Sequence, residues 1–183
     1  MDSNLQNTPK KSPGIYKIVR YPDPILKQVS QPVAEVNDQI RELMDGMLMT
    51  LRFCKGLGIS AVQVGELLRI FVIDDEEKGP LYFVNPKLYD ISEETVRAKE
   101  GCLSVVYMEE GRGISVPFKP VTRPKECMVD YLDYNGNSQT MRCTGLLAQC
   151  VQHEFDHLNG TVFLDHLSRI NRESILKKLN KNG

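Results

Sequence analysis

The sequence predicts an α+β fold, and three observations carry the prediction. Strand-like segments crowd the middle of the chain, and helical spacing marks segments on either side. No internal repeat or low-complexity linker interrupts the 183 residues. That length suits one domain with a real core, expected over residues 15–183, behind a flexible polar arm over residues 1–14.

The elements follow in order. IYKIVRY (Ile15–Tyr21) reads as a short strand stopped by Pro22-Asp23-Pro24. QPVAEV (Gln31–Val36) reads as extended chain placed by its proline. Asn37 or Asp38 can cap a helix running to about Cys54, because Ile40, Leu43, Met44, Met47, Leu48 and Leu51 recur at helical spacing. Gly56 is expected to end it, and the methionines of this stretch read as core packing. LLRIFVID (Leu67–Asp74) and LYFVNP (Leu81–Pro86) read as strands separated by a charged turn, with Thr95–Lys99 pairing next. ECMVDYLDYNGNSQTMRC reads as a hairpin turning at Asn135-Gly136. Thr144 then opens a second helix that Gly160 closes, and a third is expected from about Ser168 to Leu179, with basic residues near its C-terminus.

Composition narrows the function classes. The chain is 41% apolar and 26% charged, with a net charge of −1, which gives no general reason to expect nucleic acid or an anionic membrane as partner. No apolar run approaches membrane-spanning length. The start, MDSNLQNTPKKSPG, lacks both the apolar core of a secretory signal and the arginine-rich pattern of a transit peptide. Five cysteines at irregular spacing, an odd number without a CxxC, argue for a reducing compartment. A bacterial-type cytoplasm is therefore expected; an organelle stays open if a transit peptide has been removed.

The chemistry-bearing stretch is QHEFDHLNG (Gln152–Gly160), which holds two of the three histidines. On a helix, positions i and i+4 share a face, so His153 and His157 can address one ion. Glu154 stands about 100° around the helix, where a base can take a proton from a metal-bound water. Leu146 and Cys150 continue the histidine stripe backwards as a wall. Neutral imidazoles suit zinc or ferrous iron, and a catalytic centre of this kind takes three protein ligands and keeps one position open.

Spacing leaves the third ligand open. An HExxHxxGxxH pattern would match Gly160 but places Phe163 at the ligand position, and His166 falls three residues later. Glu173 lies in RINRESIL, which reads as an exposed turn of a basic helix. Cys102, in EGCLS between strand-like segments, would complete a Cys-His-His set, but four other cysteines compete. Two alternatives go with these choices: an HExxH metallopeptidase using Glu173 or His166, and a structural metal-binding module without activity.

Taken together, GLGISAVQ (Gly56–Gln63), EGCLS (Glu100–Ser104) and QHEFDHLNG resemble the three motifs of the peptide deformylase family, the first of which is usually written GxGxAAxQ. The resemblance runs from about Ile15 to Ser168. It implies antiparallel β-sheets enclosing a central helix that carries HExxH, and an N-terminal and a C-terminal helix. It implies that Cys102, His153 and His157 hold one divalent ion, natively Fe2+, with Zn2+, Ni2+ and Co2+ also suited. Glu154 would be general acid and base. The Gln63 amide and the Leu103 N–H would form an oxyanion hole. Leu57 and Gly101 would offer main-chain groups to the substrate, with Leu57, Gly58, Glu100, Leu146, Gln149, Cys150 and His153 around its methionine side chain. The implied substrates are N-formylmethionyl nascent polypeptides, close to the ribosome. Arg123 would serve a structural ion pair.

The sequence departs from that pattern in places. Ser60 replaces the first alanine of the first motif, and Val106 stands where proline is frequent. YMEEGRGISVPFKP is longer than in compact members, with Arg112 as a candidate peptide-binding arginine. Gln149 replaces an aliphatic wall residue, and His166 stands where arginine is usual.

Overall fold

The computed structural model describes residues 14–111 and 113–180. Apart from Gly14, the expected polar arm lies outside the described residues, as does Arg112. Among the described residues the architecture is mixed α/β, with three α-helices and antiparallel sheets.

Helix α1 (Asp38–Phe53) begins where Asn37 accepts a hydrogen bond from the Ile40 N–H at 3.1 Å. Its apolar stripe buries Met44, Met47 and Leu51 completely, as the spacing predicts. The left-handed residue at its end is Lys55 (φ 54°), not Gly56. Gly56 donates its N–H back to Leu51 at 3.1 Å, and a Cβ there would sit 2.9 Å from the Leu51 side chain. Close approach, rather than backbone handedness, explains this glycine.

Strands β1 (Gly58–Ser60), β2 (Ile70–Asp75), β3 (Gly79–Tyr89), β8 (Glu126–Leu132) and β9 (Ser138–Thr144) form one antiparallel sheet in the order β1-β2-β3-β8-β9. The predicted hairpin is the β8–β9 pair, with Cys127 opposite Cys143. Asp133 fastens its turn by accepting from the N–H groups of Asn135 and Asn137, both at 2.9 Å, and Gly136 turns with φ 83°. Strands β4 (Thr95–Glu100) and β7 (Lys119–Pro124) form a second sheet, and β5 (Tyr107–Glu109) and β6 (Gly113–Ser115) a third. The long stretch after the second motif is therefore a small hairpin returning into β7.

One expected strand is absent. Ile15–Tyr21 joins no sheet. Instead of running along a sheet edge, the segment bonds to two different parts of the chain. Val19 donates to the Gln63 carbonyl and Tyr21 to the Ser104 carbonyl, each at 2.8 Å. It thereby straps the first motif to the second.

Helix α2 (Gly145–Leu158) packs on β1, β2, β7, β8 and β9. Ala148, Val151 and Leu158 are fully buried against Phe71, Phe83, Val129 and Cys143. Its end is fixed by Gly160, where φ is 72° and an added Cβ would lie 2.5 Å from the Lys27 carbonyl oxygen. Gly160→Ala should therefore cost about 1–3 kcal/mol of stability through strain and a main-chain clash, read from urea unfolding. Helix α3 (Arg169–Asn180) inserts Ile175 into a separate core cluster with Leu26 and Phe163. No helix among the described residues is long and apolar enough to cross a membrane.

Candidate metal centre

Helix α2 presents His153 and His157 on one face, and the chain leaving β4 brings Cys102 opposite them. The Cys102 Sγ and one ring nitrogen from each histidine all lie within 4.8 Å of one another. His157 Nε2 is 3.3 Å from the sulfur, and the imidazoles stand edge to face with centroids 5.2 Å apart. His153 turns Nδ1 to Glu100 Oε2 at 3.0 Å, which leaves Nε2 for the centre. A carboxylate behind a histidine is the usual support of a ligating imidazole. His157 Nδ1 is buried without a hydrogen-bond partner among the described residues, so its fixed neighbour is on the Nε2 side.

Electrostatics agree with a cation site. Burial pushes the Cys102 thiol up, yet the imidazoles of His157 and His153 outweigh it and bring the pKa down to about 6. Burial pulls His153 down, yet its bonds to Cys102 and Glu100 raise it to about 10. The imidazoles thus favour the thiolate form of Cys102, and the thiolate and Glu100 favour positive charge at His153. A divalent ion would supply positive charge to the same donors. One thiolate and two imidazoles match a borderline transition metal, so the residues fit the group.

Glu154 is buried beside the triad, 4% exposed. Its Oε2 accepts from the Ser60 hydroxyl at 2.6 Å. Its Oε1 lies over Gly58, where a Cβ would come within 2.7 Å. Only glycine at 58 leaves the carboxylate room. Gln63, also buried, accepts from the Ser60 N–H through Oε1 at 2.9 Å. Its Nε2 donates to Ser104 Oγ at 3.1 Å and reaches Cys102 Sγ at 3.5 Å.

One cleft runs past this centre. Leu57, Gly58 and Gln63 line it from the first motif, and Glu100, Gly101, Cys102 and Leu103 from the second. Leu146, Gln149, Cys150, His153 and Glu154 line it from α2. His157 sits behind them, 1% exposed. The competing ligands lie elsewhere. His166 Nε2 meets Asp156 Oδ2 at 2.7 Å, and Glu173 is exposed beside Arg169. Cys150 stands on the wall, its thiol raised to about 12 by burial and by the nearby Glu154 and Glu100 charges. It is a neutral wall group at ordinary pH.

Sequence reasoning missed part of the cleft. Val116 and Phe118 close over Gly101, where a Cβ would meet Val116 at 2.7 Å and Phe118 at 3.0 Å. Cys54, Lys55 and Lys99 complete the rim. The apolar pair in SVPFKP was the available signal. The expected ion pair of Arg123 is present and larger than a pair, as it bridges Glu100 and Asp156.

Comparison with known proteins agrees with this arrangement. The family described as Polypeptide deformylase matches residues 15–173. A peptide deformylase of Maricaulis maris (strain MCS10) is 46% identical over 174 residues, covering 92% of this chain and 94% of that protein. One from Pelagibacter ubique (strain HTCC1062) is 43% identical over 172 residues, 92% of this chain and 95% of that one. The crystal structure of peptide deformylase from Ehrlichia chaffeensis superposes with a TM-score of 0.82 at 42% identity, over 92% of this chain and 96% of its own. A second structure of that protein, in complex with actinonin, gives 0.82 at 44% identity, over 92% and 97%. With its motifs, fold and donor set in agreement, the chain belongs to the polypeptide deformylase family of enzymes.

Proposed function

We propose that the chain is a metal-dependent hydrolase that removes the formyl group from the N-terminal N-formylmethionine of newly made polypeptides and releases formate. We take residues 15–183 as one catalytic domain working in a bacterial-type cytoplasm, near the ribosome. The observation that carries the reading is the Cys102–His153–His157 triad opening on a cleft with Glu154 beside it.

Cys102 Sγ and the Nε2 atoms of His153 and His157 would hold one divalent ion, ferrous iron being the native expectation, with zinc, nickel and cobalt also fitting the donors. When bound, that ion supplies a Lewis acid for the formyl oxygen and lowers the pKa of a water molecule. The Glu154 carboxylate takes the proton of the attacking water and returns it to the leaving nitrogen as the formamide C–N bond breaks. Formate and a free amine result. Charge grows on the formyl oxygen, and the Gln63 amide and the Leu103 N–H meet it. Gln63 Nε2 already points at the sulfur of the centre, and an oxygen held there can take the sulfur's place as acceptor. Leu57 and Gly101 offer main-chain groups to a peptide lying along the cleft as an added strand. The first side chain fits among Gly58, Leu146, Gln149 and Cys150, with Glu100 holding His153 behind it.

The positions of His166 and Glu173, each engaged with another residue, speak against a peptidase using either as ligand. A purely structural site would need no buried carboxylate beside it. The test is incubation of the metal-loaded protein with an N-formylmethionyl peptide and with its unformylated form. Formate from the first and no backbone cleavage of either is expected; cleavage without formate would replace this reading with the peptidase. Cys102→Ala should fall well below one bound ion per chain by elemental analysis, and unchanged stoichiometry would assign the ligand elsewhere.

A further inference from the structure

We infer that Ser60 is a positioning residue for Glu154, its hydroxyl fixing the carboxylate in the pose that faces the triad. This rests on the acid–base role of Glu154 proposed above. Ser60 ends β1 and is fully buried. Its Oγ lies 2.6 Å from Glu154 Oε2 and 3.0 Å from the Glu154 carbonyl oxygen. A hydroxyl has one proton to donate, and the shorter contact, to a carboxylate, is the stronger bond.

The two oxygens of Glu154 are therefore treated differently. Oε1 lies against the space that Gly58 leaves, and both residues line the cleft. Oε2 is held from behind by Ser60. A buried glutamate has three side-chain torsions to fix, and a wrong rotamer would move Oε1 away from Gly58. The Ser60 bond removes that freedom before substrate arrives, which is how a supporting residue adds to a reaction it does not touch. The sequence alone suggested only a small residue in place of alanine. The contact joins residues 94 positions apart, so spacing could not reveal it.

The hydroxyl can be tested apart from the backbone. Gln63 Oε1 accepts from the Ser60 main-chain N–H, which Ser60→Ala retains, while the substitution deletes the contacts of the hydroxyl with the Glu154 carboxylate and carbonyl. With an N-formylmethionyl peptide and equal metal content, Ser60→Ala should lower kcat about tenfold with KM within about twofold of the parent. In a Glu154→Ala background the same substitution should change the residual rate by less than about twofold, because the group it positions is gone. A crystal structure of the single variant should show the Glu154 carboxylate spread over more than one rotamer. Unchanged kcat with a single Glu154 rotamer would overturn the inference, as would an equal loss in both backgrounds, which would make Ser60 a packing residue. Near-normal turnover of Glu154→Ala alone, with Ser60 intact, would instead remove the role of Glu154 and the inference with it.

Discussion

Glu154→Ala should keep its metal and lose ~10²–10⁴-fold in turnover, the range for a positioned acid–base group. The separation of the two properties follows from what holds each side chain. The histidines are placed by α2 and supported by contacts that Glu154 does not make: His153 by Glu100 and His157 beside Cys102. Alanine is the best helix former, so α2 persists and the donors stay within reach of one another. Glu154 itself touches Ser60 and the Gly58 backbone. Its removal opens space in the cleft and takes the carboxylate partner from the Ser60 hydroxyl, a neutral group. Glu154→Gln sharpens the result. It keeps the shape and can still accept from Ser60, yet it cannot take a proton. If Gln and Ala variants are equally slow at normal metal content, proton transfer is the missing step. Formate release at saturating substrate, with elemental analysis of the same samples, decides it; near-normal turnover in both would remove Glu154 from the mechanism.

What the sequence disclosed depended on how locally each feature is encoded. The His153–Glu154–His157 geometry follows from one helical turn, and α1 follows from its apolar stripe and an Asn37 cap. The β8–β9 hairpin follows from its turn residues. Cys102 was harder, because a side chain 55 positions from His157 is brought to it by the fold and not by spacing. Motif resemblance, rather than periodicity, separated it from the other thiols. Ile15–Tyr21 failed as a strand because alternation records a half-buried surface, whereas a strand also needs a partner edge. Its residues are instead bonded to the first and second motifs through Val19 and Tyr21. Val116 and Phe118 were missed for a related reason. Their place over Gly101 depends on the return of β6 into β7, which no local pattern announces.

Arg123→Ala should be the most destabilising single change at the centre, costing about 3–5 kcal/mol, the range for breaking a buried ion pair. Arg123, 4% exposed, donates from Nε to Glu100 Oε1 at 2.5 Å and from Nη2 to Glu100 Oε2 at 2.9 Å. It donates from Nη1 to Asp156 Oδ2 at 2.9 Å. Removing it leaves the buried Glu100 with His153 and the part-buried Asp156 with His166, each without its guanidinium partner. Lysine offers one point charge in place of the planar fork and should not restore both contacts. The effect reaches the triad, since Glu100 is also the partner of His153, so weaker metal retention should accompany lower stability. The pH dependence distinguishes charge from packing. Burial raises Glu100 and Asp156, but for Glu100 the bonds to His153 and Arg123 outweigh it, and for Asp156 those to His166 and Arg123; both end below their ordinary values. A carboxyl with a depressed folded pKa adds stability above its unfolded pKa, near ~4, and that stability is lost as pH falls through the folded value. Without Arg123 the effect of burial is less opposed, and protonation relieves the variant while it weakens the parent. The stability gap between the two, from urea unfolding of metal-stripped protein, should therefore narrow as pH falls below the ordinary carboxylate range. A gap that stays constant would mean that Arg123 acts through the packing of its alkyl chain and not through its charge.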